Sequence, residues 1–184
     1  MCDAILKTVI LGEVDTGKTS LVRRFITSKF NSDCKSTIGI DFQTKDCELD
    51  NLELKLMIWD FAGQKRFRYM FPEYLYGALG GILMYDITNY SSFARIGTFL
   101  SLVQETNKSL PLLLVGSKLD LEDFREVPKK VGWRVAKSMG LNGFIECSSK
   151  TGENIDLVLE TLMRLTLNNM LINETKIIEV ESTH

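Results

Sequence analysis

The chain has 184 residues, 45 % of them apolar and 25 % charged, which suits one soluble globular domain that buries a core without staples. Net charge is −2 with no run of lysine or arginine, so a nucleic-acid partner is not expected. No apolar stretch approaches membrane-spanning length, and the only histidine, His184, ends the sequence, which excludes histidine-based acid–base chemistry.

Strand-like and helical patterns alternate from the start. Ile5–Leu11 is a nearly continuous apolar run, as a strand buried on both faces should be. It leads into Gly12-Glu-Val-Asp-Thr-Gly-Lys-Thr19, and Ser20–Ile26 then begins a helix. Residues 40–46 and Leu54–Trp59 alternate as half-buried strands, with Asp50-Asn51 between them as a hairpin turn. Gly81–Tyr85 and Leu112–Val115 are further buried strands, and Ile145-Glu-Cys147 is a short last one. Helices are expected at Ser92–Asn107, at Pro128–Met139, and from Ile155, where Val158, Leu159, Leu162, Met163 and Met170 form one apolar stripe. This order predicts an α/β fold: a six-stranded, mostly parallel sheet with one antiparallel edge strand and helices on both faces. The domain is expected over residues 1–171, with 172–184 as a loose tail.

The eight residues from Gly12 have the outer spacing of a phosphate-binding loop, between a strand and a helix as that motif requires. Backbone N–H groups of such a loop wrap phosphates at the positive end of the following helix. Val14, Asp15, Thr16, Gly17, Lys18, Thr19 and Ser20 are therefore candidate nucleotide-binding residues, with Lys18 reaching the outer phosphates and Thr19 a Mg²⁺ ligand. A glycine-bearing strand–helix turn that binds nothing is the bland alternative. Three later strings, each following a strand, argue against it. In Trp59-Asp-Phe-Ala-Gly-Gln64, Asp60 stands where a carboxylate holds Mg²⁺, Gly63 offers an N–H to a terminal phosphate, and Gln64 orients an attacking water. In Gly116-Ser-Lys-Leu-Asp120, Asp120 can accept two N–H groups from the edge of guanine, which adenine does not supply. Ser148, Ser149 and Lys150 can offer backbone N–H groups to the guanine carbonyl.

With these motifs, residues 4–171 resemble the Ras superfamily of small GTPases, and within it the Rab group. The resemblance extends to Ser36-Thr-Ile-Gly-Ile-Asp-Phe42, Lys55–Arg68, Gly81–Ile87 and Glu146–Asn154. It implies that Thr37 binds Mg²⁺ and the γ-phosphate, that Phe30 packs edgewise on guanine, and that Lys118 lies along the base. It also implies a GTP/GDP switch with slow Mg²⁺-dependent hydrolysis, catalysed by Gln64 and Lys18. Switch segments would lie near residues 32–42 and 60–77. Effectors, exchange factors and GTPase-activating proteins would be its partners, with effectors meeting Ile38, Phe42, Trp59 and Tyr74; for the three aromatics core packing is the alternative.

Four departures from the family pattern carry expectations of their own. Ser117 replaces the usual asparagine, which should weaken nucleotide affinity without changing specificity. Pro72 should break or restart the second switch helix. Val14 replaces glycine or another small residue beside the γ-phosphate, and Asp15 adds a negative charge that faces the phosphates or solvent. The final residues contain no cysteine for prenylation, so either a lipidated tail is missing from this sequence or the protein is a relative without an anchor. The cysteines Cys2, Cys34, Cys47 and Cys147 lack metal-site spacing and are expected to be reduced thiols of a cytoplasmic monomer. Two rival readings are a P-loop kinase or ATPase, for which no arginine-rich lid is found, and a pseudo-GTPase that holds nucleotide permanently.

Overall fold

The first apolar run is a strand because its residues are claimed from both sides. In the computed structural model, which describes residues 2–30 and 37–181 with side chains to Asn173, β1 (Ala4–Gly12) is flanked by two parallel neighbours. One is β3 (Leu52–Phe61) and the other β4 (Gly80–Asp86). Leu6 and Ile10 point to one core, and Val9 and Leu11 to a second on the opposite face. β2 (Ile40–Leu49) pairs antiparallel with β3 at the sheet edge. Asp50 and Asn51, at φ 52° and 66°, make the tight turn between them. β5 (Leu112–Ser117) and β6 (Gly143–Glu146) complete the six-stranded order β2-β3-β1-β4-β5-β6.

The helices cover both faces. α1 (Lys18–Thr27) and α6 (Ile155–Glu181) lay Leu21, Val22, Phe25, Ile155, Val158 and Leu162 on the first core. The second core takes α2 (Phe71–Leu75), α3 (Tyr90–Ala94), α4 (Ile96–Thr106) and α5 (Lys129–Ser138) through Phe71, Leu75, Phe93, Ile96, Phe99, Val103 and Ala136. The chain leaves β1 toward β3 on one side and returns to β4 on the other. A cleft therefore opens at the carboxyl ends of the strands beside β1, the usual ligand position in open α/β sheets.

Two helical stretches differ most from those expected. The helix expected over Ser92–Asn107 starts at Tyr90 and is interrupted at Arg95 (φ −90°, ψ −3°). Its start is fixed by Asn89, whose side chain accepts the Ser92 N–H at 3.1 Å, and by the Ser92 hydroxyl, which accepts the Asp86 N–H at 3.0 Å. α6 stays helical to Glu181, past Ile172 where the apolar stripe fades and a tail was expected to begin. Residues 182–184, like Cys34, Ser36 and the start of the first switch segment, lie outside the described residues. Pro72 acts as expected: a 3₁₀ turn over Lys65–Met70 ends, and α2 begins with the proline in its first positions, where no N–H is needed.

Among the described cysteines, Cys2, Cys47 and Cys147 are all free thiols. Burial, with Glu146 second, pushes the Cys147 thiol up to about 12, so its thiolate is not formed near neutrality. An alkylating reagent at pH 8 should modify exposed Cys2 first and partly buried Cys47 more slowly. Cys147 should react only in unfolding concentrations of urea. Mass spectrometry over a time course checks this order, and native labelling of Cys147 would contradict it.

Candidate functional site

The phosphate loop is shaped by its own side chains. The Glu13 carbonyl accepts the Thr16 hydroxyl at 2.9 Å and the Lys18 ammonium at 2.6 Å, so three loop residues close on one oxygen. Gly17 takes φ 85° at the mouth of α1, where no side chain caps the helix and its first N–H groups are left for an anion. Asp15 also takes a left-handed φ of 61°, a conformation aspartate tolerates better than most residues. It is exposed and lines the phosphate cavity, so its carboxylate borders both solvent and ligand space.

Lys18 is only 6 % exposed. Burial pushes its ammonium down to about 8, against the pull of Asp60, Glu13 and Asp15. A cation this poorly solvated gains strongly from an arriving phosphate. Beside it the Thr19 hydroxyl donates to Asp60 Oδ2 at 2.5 Å and lies 2.7 Å from the Thr37 hydroxyl, which is 3.4 Å from the same carboxylate oxygen. Burial pushes the Asp60 carboxyl above its usual range, and its Oδ1 is buried with no hydrogen-bond partner among the described residues. An orphaned carboxylate oxygen beside two hydroxyls is a hard-oxygen donor set, and it fits Mg²⁺.

Gly63 closes the other wall. A Cβ there would lie 2.3 Å from the Val14 backbone nitrogen, so only glycine lets this segment lie against the loop. Val14, Asp15, Gly17, Lys18, Thr19, Ser20, Thr37, Gly63, Gln64 and Lys118 line one cavity of about 380 Å³. A second, of about 270 Å³, is lined by Gly17, Ser20, Phe30, Ser117, Lys118, Asp120, Ser149 and Lys150. They share Gly17, Ser20 and Lys118 and so form one cleft, with the phosphate loop at one end and Asp120 at the other.

At the Asp120 end the Ser148 hydroxyl donates to Asp120 Oδ1 at 2.5 Å, and Lys150 lies 3.8 Å from Oδ2. Lys118, at φ 61°, pairs with Asp86 at 2.6 Å, while the other oxygen of Asp86 accepts the N–H and hydroxyl of Thr88. The Ser117 hydroxyl reaches the Thr16 carbonyl at 2.7 Å and the Tyr85 carbonyl at 2.9 Å. A hydroxyl has one proton for these two acceptors, where an asparagine amide would bring two. Ser117 thus ties the phosphate loop to β4 and β5 through a single hydroxyl.

A chain for which a phosphate loop, a metal-type oxygen cluster and a base cavity share one cleft has comparable relatives. The sequence model of the Ras family matches residues 7–168. The chain belongs to the Ras family. It is a Rab-like small GTPase: human Ras-related protein Rab-8B is 38 % identical over 176 residues, 94 % of this chain and 84 % of its own length. GTP-binding protein ypt2 of Schizosaccharomyces pombe is 39 % identical over 88 % of this chain and 81 % of its own. Ras-related protein SEC4 of Saccharomyces cerevisiae is 40 % identical over 89 % of this chain and 75 % of its own.

The aromatics expected at an effector surface are contiguous in this Rab-like chain. Phe42 and Trp59 ring centroids are 4.9 Å apart, and Trp59 and Tyr74 5.3 Å. Phe42 is 42 % exposed and Ile38 78 %, whereas Trp59 and Tyr74 are partly buried and pack against the second core. Sequence reading missed the charges that hold the loops. Arg125 binds Glu146 with both terminal nitrogens, at 2.7 and 2.9 Å, and so fastens the turn carrying Asp120 to the end of β6. The available signal was a lone carboxylate, Glu146, at the end of an otherwise apolar strand. It also missed Asp86 and Glu13, whose partners are far away in sequence.

Proposed function

We propose that the protein is a GTP/GDP switch of Rab type that hydrolyses GTP slowly and acts in regulation of the membrane-trafficking kind. The observation that carries this is the convergence of Thr19, Thr37 and Asp60 beside buried Lys18, at the phosphate end of a cleft whose other end is edged by Asp120. Backbone N–H groups of the loop and of the α1 terminus bind the phosphates, and Lys18 carries positive charge to the outer ones. Thr19, Thr37 and Asp60 would hold Mg²⁺, which when bound supplies charge neutralisation at the phosphate oxygens. Gly63 offers its N–H to the terminal phosphate and Gln64 orients water for in-line attack. Asp120 selects guanine, and Ser148, Ser149 and Lys150 close on its carbonyl.

Thr37 and Gly63 both stand where hydrolysis removes a partner, so the two states should differ in the segments that carry them. By the same reading effectors meet Ile38, Phe42, Trp59 and Tyr74. We place the protein in the cytoplasm as a monomer, in keeping with free thiols at every described cysteine. Hydrogen exchange in the GTP-analogue and GDP states tests the switch. Protection is expected to change over Thr37–Phe42 and Ala62–Gly77 and to stay constant over Ile155–Met170. Identical exchange throughout would overturn it.

A further inference from the structure

Gln64 has no side-chain hydrogen bond among the described residues, so its place over the phosphate cavity is set by backbone on either side. On one side Gly63 lies against the Val14 nitrogen. On the other, Gln64 opens the 3₁₀ turn Lys65–Met70, its carbonyl accepting the Phe67 N–H at 3.1 Å, and a largely buried side chain of that turn ties it to the phosphate loop. The anchor is Arg68. Its Nη2 donates to Glu13 Oε1 at 2.6 Å, with the two side chains only 13 % and 22 % exposed. Its guanidinium carbon lies 4.7 Å over the Phe99 ring of α4, and Arg95 Nε stands 3.7 Å from the same Glu13 oxygen.

Glu13 is therefore held twice. Its side chain grips the turn that carries Gln64, while its backbone carbonyl receives Lys18 and Thr16. We propose that Glu13 and Arg68 form a latch between the phosphate loop and the second switch segment, and that they are positioning residues for Gln64. The charge pair, the guanidinium stack on Phe99 and the glycine contact bracket Gln64 and fix the register of the turn relative to the phosphates. Neither residue touches the reacting atoms. The proposal rests on the reading of Gln64 as the group that orients the attacking water.

Single-turnover GTP hydrolysis separates this from a general stabilising role. The comparison uses the full chain carrying Val14→Gly, so that a valine-limited rate does not hide the effect, with Glu13→Gln, Gln64→Ala and both together. Glu13→Gln is expected to slow hydrolysis roughly tenfold, as a small misplacement of an aligned group does, with GDP affinity unchanged. Gln64→Ala should slow it at least as much, and adding Glu13→Gln to Gln64→Ala should cost nothing more. Arg68→Met, which keeps the volume over Phe99, should repeat the pattern independently. Unchanged hydrolysis in Glu13→Gln, or an equal loss with and without Gln64, would overturn the latch while leaving the switch standing. A Gln64→Ala chain as fast as its parent, or a parent that binds no guanine nucleotide, would overturn both.

Discussion

Replacing Asp120 by asparagine is expected to weaken GDP binding by about 10²–10⁴-fold, because two charge-assisted hydrogen bonds to the base, each contributing about 1.5–3 kcal/mol, are lost or reversed. The same change should admit xanthine nucleotide. The asparagine amide can donate to the carbonyl that xanthine carries where guanine has its amino group. Asp120 is well placed for this exchange of partners. Its Oδ1 already takes the Ser148 hydroxyl at 2.5 Å, an interaction an asparagine oxygen can keep, so the loop should not collapse. The wild-type chain should prefer GDP to ADP by about 10⁴-fold or more, since a site built to pair with N–H donors rejects a base that lacks them. Fluorescent-nucleotide titrations of GDP, ADP and xanthosine diphosphate on both proteins check all of these. Comparable GDP and ADP affinities in the wild type would remove Asp120 as the selector.

Val14→Gly is expected to raise the rate of GTP hydrolysis about tenfold or more, through better alignment of water and Gln64. The Val14 side chain is 37 % exposed and borders the same cavity as Gln64, with Gly63 packed against its backbone. A β-branched side chain is stiff about its first torsion and does not swing aside. It is therefore expected to crowd the space that Gln64 must enter to align water, and the space an inserted arginine would use. Nucleotide affinity should change little, because loop and helix N–H groups do the holding. The wild type should hydrolyse GTP at or below the unassisted rate of Ras, on the order of 10⁻⁴ s⁻¹. Single-turnover assays of the two proteins decide this. An ordinary wild-type rate that glycine leaves unchanged would make Val14 a loop residue without catalytic consequence.

The parts of this site that could be read from sequence are those carried by short strings in a fixed local setting. The phosphate loop needs its glycines and lysine at set spacing between a strand and a helix, and both neighbours announce themselves by their apolar patterns. Asp60 and Asp120 could be assigned because one ends a strand and the other follows one at the sheet's carboxyl edge. What could not be read depends on which strand ends the topology brings together. Glu13 meets Arg68 across 55 positions and Arg125 meets Glu146 across 21, and neither pairing leaves a periodic trace. Asp15 was recognisable as a charge, but not as a residue at positive φ. The interruption at Arg95 was hidden because the apolar spacing of α3 and α4 continues across it. The helical extension of α6 to Glu181 was hidden for the opposite reason: the backbone continues where the apolar stripe does not.

The cleft is expected to hold a guanine nucleotide and to turn GTP into GDP. The most direct measurement is the identity and fate of the nucleotide that accompanies the protein purified in Mg²⁺, released by acid and resolved by ion-exchange chromatography. A stoichiometric guanine nucleotide is expected, with loaded GTP passing to GDP over hours and faster in the Val14→Gly chain. An adenine nucleotide in the cleft, or GTP that stays intact in both proteins, would contradict the account.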